Sequence, residues 1–343
     1  MDPITQGVLG ASVPQAFAAK KHIVAATVFG ALAGMSPDLD NLIRSGTDPL
    51  LRMEYHRQFT HSLVFIPVGA LICALLFYFL FSRRWQISFK YTYLYCFLGY
   101  ATHGLLDACT SFGTQLLWPF TNERFAFNTI SIIDPLFTLP LLVLVILCVI
   151  KKSARFAQVA LCWVLIYQGL GFYQHQRVMG IGSQLAEQRQ HIPVRMEAKP
   201  SFGNLLLWKV IYEIEDGYHT DAVRAARDVT IYPGDFVPKL DIDSDLPWLD
   251  KDSQQARDIQ RFGWFSKGYL ALDPSNPLRI TDMRYSMVPN ESQGMWSIWV
   301  DPAAAKGDHV TMKQDRDTSA SRRAKLMLML QGNDLESDLS PKL

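Results

Sequence analysis

LVFIPVGALICALLFYFLF, Leu63 to Phe81, is nineteen residues long and carries no charge. A helix needs about 20 apolar residues to cross roughly 30 Å of hydrocarbon, and helices buried in soluble proteins rarely run that far uncharged. The stretch predicts a membrane span. Phe156 to Tyr173 adds eighteen more uncharged residues. Whole-chain averages hide this signal: over 343 residues the formal charge is +1 and 49% of residues are hydrophobic, values that also suit a large soluble enzyme.

Four weaker segments surround these two. Pro3 to Ala19 is uncharged but holds Thr5, Gln6 and Gln15; Ile23 to Met35 is short and rich in Ala and Gly. Small residues suit close packing between helices better than contact with lipid, so both read as inner helices. Tyr91 to Thr102 runs on into His103 and Asp107, and Pro135 to Ile150 has Asp134 at its mouth. The N-terminus lacks the charged region and cleavage site of a signal peptide, so it is expected to stay in the mature protein. Lys20, Lys21, Arg83, Arg84, Lys90, Lys151, Lys152 and Arg155 fall in alternate turns, against Arg44, Arg52, Arg57 and Arg124 in the others. That bias puts the first set in the cytoplasm. Both termini are then expected outside.

After Arg177 the chain changes character. Charges, Pro and Asp-Gly and Asp-Pro turns separate short β-rich runs: Asn204 to Glu213, Asp228 to Tyr232, Trp264 to Leu272, Leu278 to Tyr285 and Met295 to Val300. Ser253 to Arg261 reads as a helix, and Ala320 to Leu330 as an amphipathic one, with the last ten residues disordered. The expected architecture is an α-helical membrane bundle of about six helices over residues 1–175, a soluble α+β domain over 176–305, and a polar tail over 306–343. All five cysteines lie in the membrane half and read as small buried hydrophobes. No basic stripe or known motif points to nucleic acid.

Ionisable residues near membrane depth are costly and are functional candidates by default. Here they cluster. Asp38 and Asp40 follow the second helix, His56 and His61 lead into the third, His103 and Asp107 close the fourth, and Asp134 opens the fifth. The Lys and Arg pattern puts all of them at one face of the bilayer. His103 and Asp107, four apart on a helix, share a side. Three His and three Asp are the right donors for one or two ions of Zn or Mn. No Cys joins them, which favours a catalytic centre over a structural one. Plainer readings compete. Asp134 before Pro135 and Asp2 before Pro3 both fit helix N-caps, Asp38 and Asp40 fit a solvated loop, and His103 with Asp107 fits an interhelical pair. His22, His175, His191, His219 and His309 fit ordinary surface or core positions.

Four of these stretches, in order, carry a resemblance. Met1-Asp-Pro-Ile-Thr-Gln-Gly7, Ser36-Pro-Asp-Leu-Asp40, His56-Arg-Gln-Phe-Thr-His-Ser62 and His103-Gly-Leu-Leu-Asp-Ala-Cys-Thr-Ser-Phe-Gly-Thr114 resemble the YdjM-type family. These are bacterial and archaeal inner-membrane proteins described as metal-dependent hydrolases. The resemblance covers roughly residues 1 to 175. The family commonly has His after the first Thr, where this chain has Gln6.

The residue patterns and the resemblance together predict a multi-pass protein of the bacterial inner membrane with a divalent metal, Zn or Mn, at its outer face. Asp38, Asp40, His56, His61, His103 and Asp107 are the expected metal ligands. Arg57 is the candidate to meet a phosphate or developing oxyanion, and Glu54 or Asp134 the candidate general base. Membrane lipid, or a lipid-linked phosphoester, is the expected substrate class, and the sequence names no protein partner for the soluble domain. A metal-stabilised scaffold or sensor without turnover, and an ion-coupled transporter, remain as alternatives.

Overall fold

The computed structural model describes residues 1–335. The expected disordered end falls, from residue 336 on, outside the described residues. The chain divides into two compact units. The first comprises residues 1–43, 55–173 and 202–205, and the second comprises 44–54, 174–201 and the chain from Leu206 onward.

The first unit is helical. Asp2 caps α1 (Pro3–Phe17), its carboxylate accepting from Thr5 N at 3.0 Å, with Pro3 in the first turn. Helix α2 (Ile23–Met35) follows. Pro37 has no N–H to continue an α-helical ladder, and the chain tightens into a 3-10 stretch over Ser36–Leu42. The short helix α3 (Leu51–Tyr55) belongs mostly to the second unit. Two single 3-10 turns, Phe59–His61 and Leu63–Phe65, lead to α4 (Ile66–Phe77), which continues as a π-helical turn over Tyr78–Ser82. Then come α5 (Phe89–Cys109), α6 (Pro135–Lys151) and α7 (Arg155–Gln188).

Each of the six apolar segments thus contains a helix. Among the described residues, three helical stretches are long and apolar enough to cross a membrane: Lys20–Leu42, Leu63–Ser82 and Arg155–Gln188. Pro135–Lys151 is apolar but shorter. The 3-10 extension lengthens the second segment beyond what its Ala/Gly run suggested. The interior of this unit gathers around Phe29, Ala26, Ala33, Ala74, Cys96 and Tyr100. Glycine permits the tightest approach: a methyl group at Gly30 would collide with the Gly10 carbonyl of α1, and one at Gly99 with the Gly30 carbonyl. The expectation of small-residue contacts between inner helices has this physical form. All five cysteines are free thiols, with Cys162 exposed, Cys109 half-buried and the other three buried.

The second unit holds two four-stranded antiparallel sheets, β1 (Arg195–Pro200), β2 (Leu207–Glu213), β3 (Gly217–Ala225) and β4 (Val229–Pro238) in one, β5 (Leu270–Asp273), β6 (Asn276–Asp282), β7 (Trp296–Trp299) and β8 (Thr311–Gln314) in the other, each in sequence order. Between them lie α8 (Ile242–Asp245) and α9 (Gln254–Phe265), and α10 (Ala320–Gln331) follows β8. Ser253 caps α9 by accepting from Ala256 N. Ile211, Tyr218 and Val237 of the first sheet share a core with Tyr269, Ala271 and Met283. Helix α10 seats Met329 against Leu207, Ala222 and Tyr232. The expected strand Trp264 to Leu272 is instead the end of α9, a turn through Gly268 at positive φ, and β5. Strands β1, β3 and β8 had no counterpart in the sequence reading.

Candidate metal centre

Three segments of the first unit supply the centre. The 3-10 stretch after α2 carries Asp38 and Asp40, the turn before α4 carries His61, and the last two turns of α5 carry His103 and Asp107. Glycine again sets the approach, because a methyl group at Gly104 would strike the His61 carbonyl. Asp38, His61, His103 and Asp107 each offer one donor atom, and the four atoms lie within 4.8 Å of one another. His61 Nε2 is 3.6 Å from Asp38 Oδ1 and 3.4 Å from Asp107 Oδ2; His103 Nε2 is 3.5 Å and 3.7 Å from the same two oxygens. Donors about 2.1 Å from an ion at the corners of a tetrahedron lie roughly 3.4 Å apart. The four residues fit a divalent metal.

Their hydrogen bonds point the same way. His103 Nδ1 is 2.6 Å from the Gly34 carbonyl, so that nitrogen carries the proton and Nε2 keeps its lone pair. His61 Nδ1 is 2.9 Å from Thr60 Oγ1 and 3.2 Å from Asp40 Oδ2, which leaves Nε2 as the nitrogen turned toward the centre. His61 Nε2, His103 Nε2 and Asp107 Oδ2 are buried without any hydrogen-bond partner. Burying polar atoms without hydrogen bonds is costly; a shared ion would satisfy both imidazole nitrogens and add to the Arg57 ion pair of Asp107 Oδ2. Burial opposes a charge on His61, but Asp107, Asp38 and Asp40 outweigh it and push its pKa up to about 10.

Asp40 stands apart from these donors. Its Oδ1 is 2.8 Å from His56 Nδ1, while Oδ2 accepts from Arg57 N at 3.0 Å and Thr60 Oγ1 at 2.9 Å and faces His61 Nδ1. Its lone pairs are occupied by protein. Asp38, Asp40 and His56 form a second possible donor group sharing Asp38, but the bonding of Asp40 suits it better to orienting both histidines. Burial holds the pKa of His56 below the usual imidazole value.

Arg57 is buried, with φ at 63°, a strained value for a residue with a side chain. Its Nε pairs with Asp107 Oδ2 at 2.8 Å without hydrogen-bond alignment, and its Nη1 donates to Thr110 Oγ1 at 2.9 Å. The guanidinium lies 4.9 Å from the Phe112 ring centre. Glu54 and Asp134 are engaged elsewhere. Glu54 pairs with Arg261 within the second unit. Asp134 caps α6 by accepting from Leu136 N and Phe137 N, and takes a 2.7 Å bond from the Tyr167 hydroxyl.

A profile of the YdjM inner membrane protein family matches residues 1–178. The chain belongs to this family. The inner membrane protein YbcI of Escherichia coli (strain K12) is 34% identical over 99 residues, 28% of this chain and 54% of the relative. The uncharacterized protein YfhP of Bacillus subtilis (strain 168) is 27% identical over 111 residues, 32% of this chain and 33% of the relative. The chain thus spans about half of one curated relative and a third of the other. No solved structure matches it.

The YdjM match covers every metal donor just described. Within it, Gln6 takes a definite place: its Nε2 donates to Asp107 Oδ1 at 2.9 Å, and the Met1 amine pairs with the same oxygen. The amide holds a donor carboxylate and leaves Asp107 Oδ2 facing the centre. Sequence reading missed Thr60, Thr110 and the Gly34 carbonyl as supports. Thr60 and Thr110 lie inside the motifs it singled out, but a hydroxyl beside a histidine signals nothing until the fold aims both at one carboxylate.

Proposed function

We propose that this chain is a multi-pass, metal-dependent hydrolase of the inner membrane, with Asp38, His61, His103 and Asp107 holding one divalent ion, Zn or Mn. The convergence of three buried donor atoms that lack a hydrogen bond carries this reading. A divalent ion there would supply Lewis-acid chemistry, acidifying a water and polarising an electrophile. The protein's own groups do the rest. Asp40 and the Gly34 carbonyl aim the two imidazoles, and Gln6 and Arg57 hold Asp107. Asp38, its side chain 23% exposed, is the donor nearest solvent and marks the side from which substrate arrives.

His56 is the group positioned to take a proton. Asp40 holds its Nδ1, its side chain is 16% exposed, and one of its ring nitrogens lies within 4.8 Å of an Asp38 oxygen. Its lowered pKa keeps it neutral near pH 7, as a general base must be. With Glu54 and Asp134 engaged elsewhere, His56 replaces them as the candidate base. A centre beside membrane helices suits a lipid or lipid-linked phosphoester. The Lys and Arg asymmetry supports an extracytoplasmic position for the centre and for the second unit.

Purified protein in detergent is expected to carry a transition metal and to hydrolyse an activated phosphodiester, slowly and with metal dependence. His56→Ala should lower turnover and spare metal content. A reporter active only in the cytoplasm, fused after Leu343, should stay silent; strong activity would invert the topology. Four protein donors also favour a second reading, because closed tetrahedral sites are usually structural. Stoichiometric metal without turnover on phosphoester, ester and lipid panels would establish that scaffold or sensor.

A further inference from the structure

We propose that Lys209 and Ser286 form a second reactive site, a serine nucleophile with a lysine base, that takes acyl substrates: carboxylic esters or amides. All of its residues belong to the second unit, and it does not depend on the metal reading. Lys209 lies on β2, where every residue is buried, and is itself only 4% exposed. A lysine so deep is rarely found without a carboxylate partner. Here Nζ meets two neutral groups, Ser286 Oγ at 3.0 Å and the Glu291 carbonyl at 2.9 Å.

Four carboxylates, Asp282, Asp235, Glu291 and Asp221, act on this amine as charges. Each is bonded to another group: Asp282 to Arg284, Asp221 to Arg189, Glu291 to Lys325 and Asp235 to the Ser292 hydroxyl. Burial against neutral partners favours the free amine and lowers its pKa to about 7. A neutral lysine beside a hydroxyl is a base in reach of a nucleophile. Ser286 is half-buried, so its hydroxyl keeps an exposure that the amine lacks. Its backbone is fixed by an antiparallel bridge to Gly294, by Met295 N donating to the Tyr285 carbonyl at 2.9 Å, and by Asn290 Nδ2 donating to the Pro233 carbonyl at 2.9 Å. At rest the hydroxyl donates to the Val288 carbonyl at 2.8 Å. Rotation about Cβ–Oγ turns the same hydrogen toward Nζ without moving the chain.

In the reaction, Ser286 Oγ adds to the carbonyl carbon of the acyl substrate while its proton passes to Lys209 Nζ. The bond from that carbon to the leaving group then breaks, and Lys209 returns the proton to the departing alcohol or amine. Water repeats the sequence on the acyl-serine: it gives its proton to Lys209 and its oxygen to the acid, and Ser286 regains a hydrogen. Each round starts from the free amine, so acid that protonates Lys209 stops it.

The test treats the full-length protein in detergent with a fluorophosphonate probe, which forms a bond from serine oxygen to phosphorus and releases fluoride, and locates the adduct by peptide mass spectrometry. Wild type should be labelled at Ser286. The rate should rise with pH through a midpoint near 7 and fall about tenfold per unit below it. A metal chelator should leave the rate unchanged, which separates this site from the metal centre. Ser286→Ala should remove the adduct, and Lys209→Met should slow labelling about a hundredfold or more at pH 8, the usual worth of a general base. The acyl class is read with p-nitrophenyl acetate, which should release p-nitrophenol in wild type and not in Ser286→Ala. No adduct, an adduct on another residue, a rate flat from about pH 5 to about pH 9, or no p-nitrophenol release would overturn the proposal. If Lys209→Met fails to fold, the position of the wild-type adduct and its pH profile still decide the matter.

Discussion

Both units bury charge, but they treat it differently. In the second, Asp258 receives four donors, Arg284 is clasped by Asp282 and the Phe265 carbonyl, and Arg189 forms two parallel bonds with Asp221. In the first, Asp107 Oδ2 and the Nε2 atoms of His61 and His103 face one another with no hydrogen bond. Buried charge by itself therefore does not mark function. Several buried atoms without hydrogen bonds, turned toward one another, are a stronger sign, because one shared group could offset the cost of all of them.

The largest effect should separate the two kinds of burial outright. His103→Ala is expected to abolish stoichiometric metal in the purified protein, read by plasma mass spectrometry. Arg284→Met should leave metal content intact while costing the second unit about 3–5 kcal/mol, the usual result of stranding one member of a buried ion pair. If Arg284→Met empties the centre, the contrast between the units fails.

Acidity offers the next test. Without an ion, His61 holds its proton up to about pH 10. Binding must displace that proton, so apparent affinity should fall about tenfold for each unit of acidification between roughly pH 9 and pH 6. No comparable slope is expected for any ligand that does not touch His61. A pH-independent affinity would mean that the carboxylates do not control this imidazole.

How much of this was legible in the sequence depended on separation along the chain. His103 and Asp107 are a helical turn apart, and Asp38 with Asp40 and His56 with His61 each lie within one short motif, so pattern alone brought them forward. Glu54 also sits beside a motif, but its partner Arg261 is 207 residues away, and no local spacing records that pairing. The engagement of Glu54 within the second unit could not be read from the sequence for this reason. Strand β3 was missed because His219, Asp221 and Arg224 break the apolar alternation expected of a buried strand. Asp221 is tolerated there only because Arg189, 32 residues earlier, neutralises it. Gln6 lies 101 residues from the carboxylate it holds.

Asp40→Asn should give a smaller loss of metal than His103→Ala. The amide keeps the shape of the side chain but not the charge that orients His61 and His56. The expected weakening is about tenfold to a hundredfold. Total loss would instead make Asp40 a donor in its own right, and with it the second donor group formed by Asp38, Asp40 and His56.

The smallest effect concerns Lys209, on the fully buried strand β2. Its Nζ donates to Ser286 Oγ at 3.0 Å and to the Glu291 carbonyl at 2.9 Å. Burial pushes its pKa down to about 7, against the pull of Asp282, Asp235, Glu291 and Asp221. In the unfolded chain the amine keeps its proton to about 10.5. Below the folded value both states carry the proton and the penalty of burying it is complete. Between the two values only the unfolded chain does, so the stability of the second unit should rise with pH by about 1.4 kcal/mol per unit. The difference between wild type and Lys209→Met isolates this group from every other that titrates. Measured by hydrogen exchange of β2 from about pH 7 to about pH 9, it should shift in favour of wild type as pH rises. A flat difference would mean that Lys209 stays charged inside the sheet, fully paired, as Arg284 is.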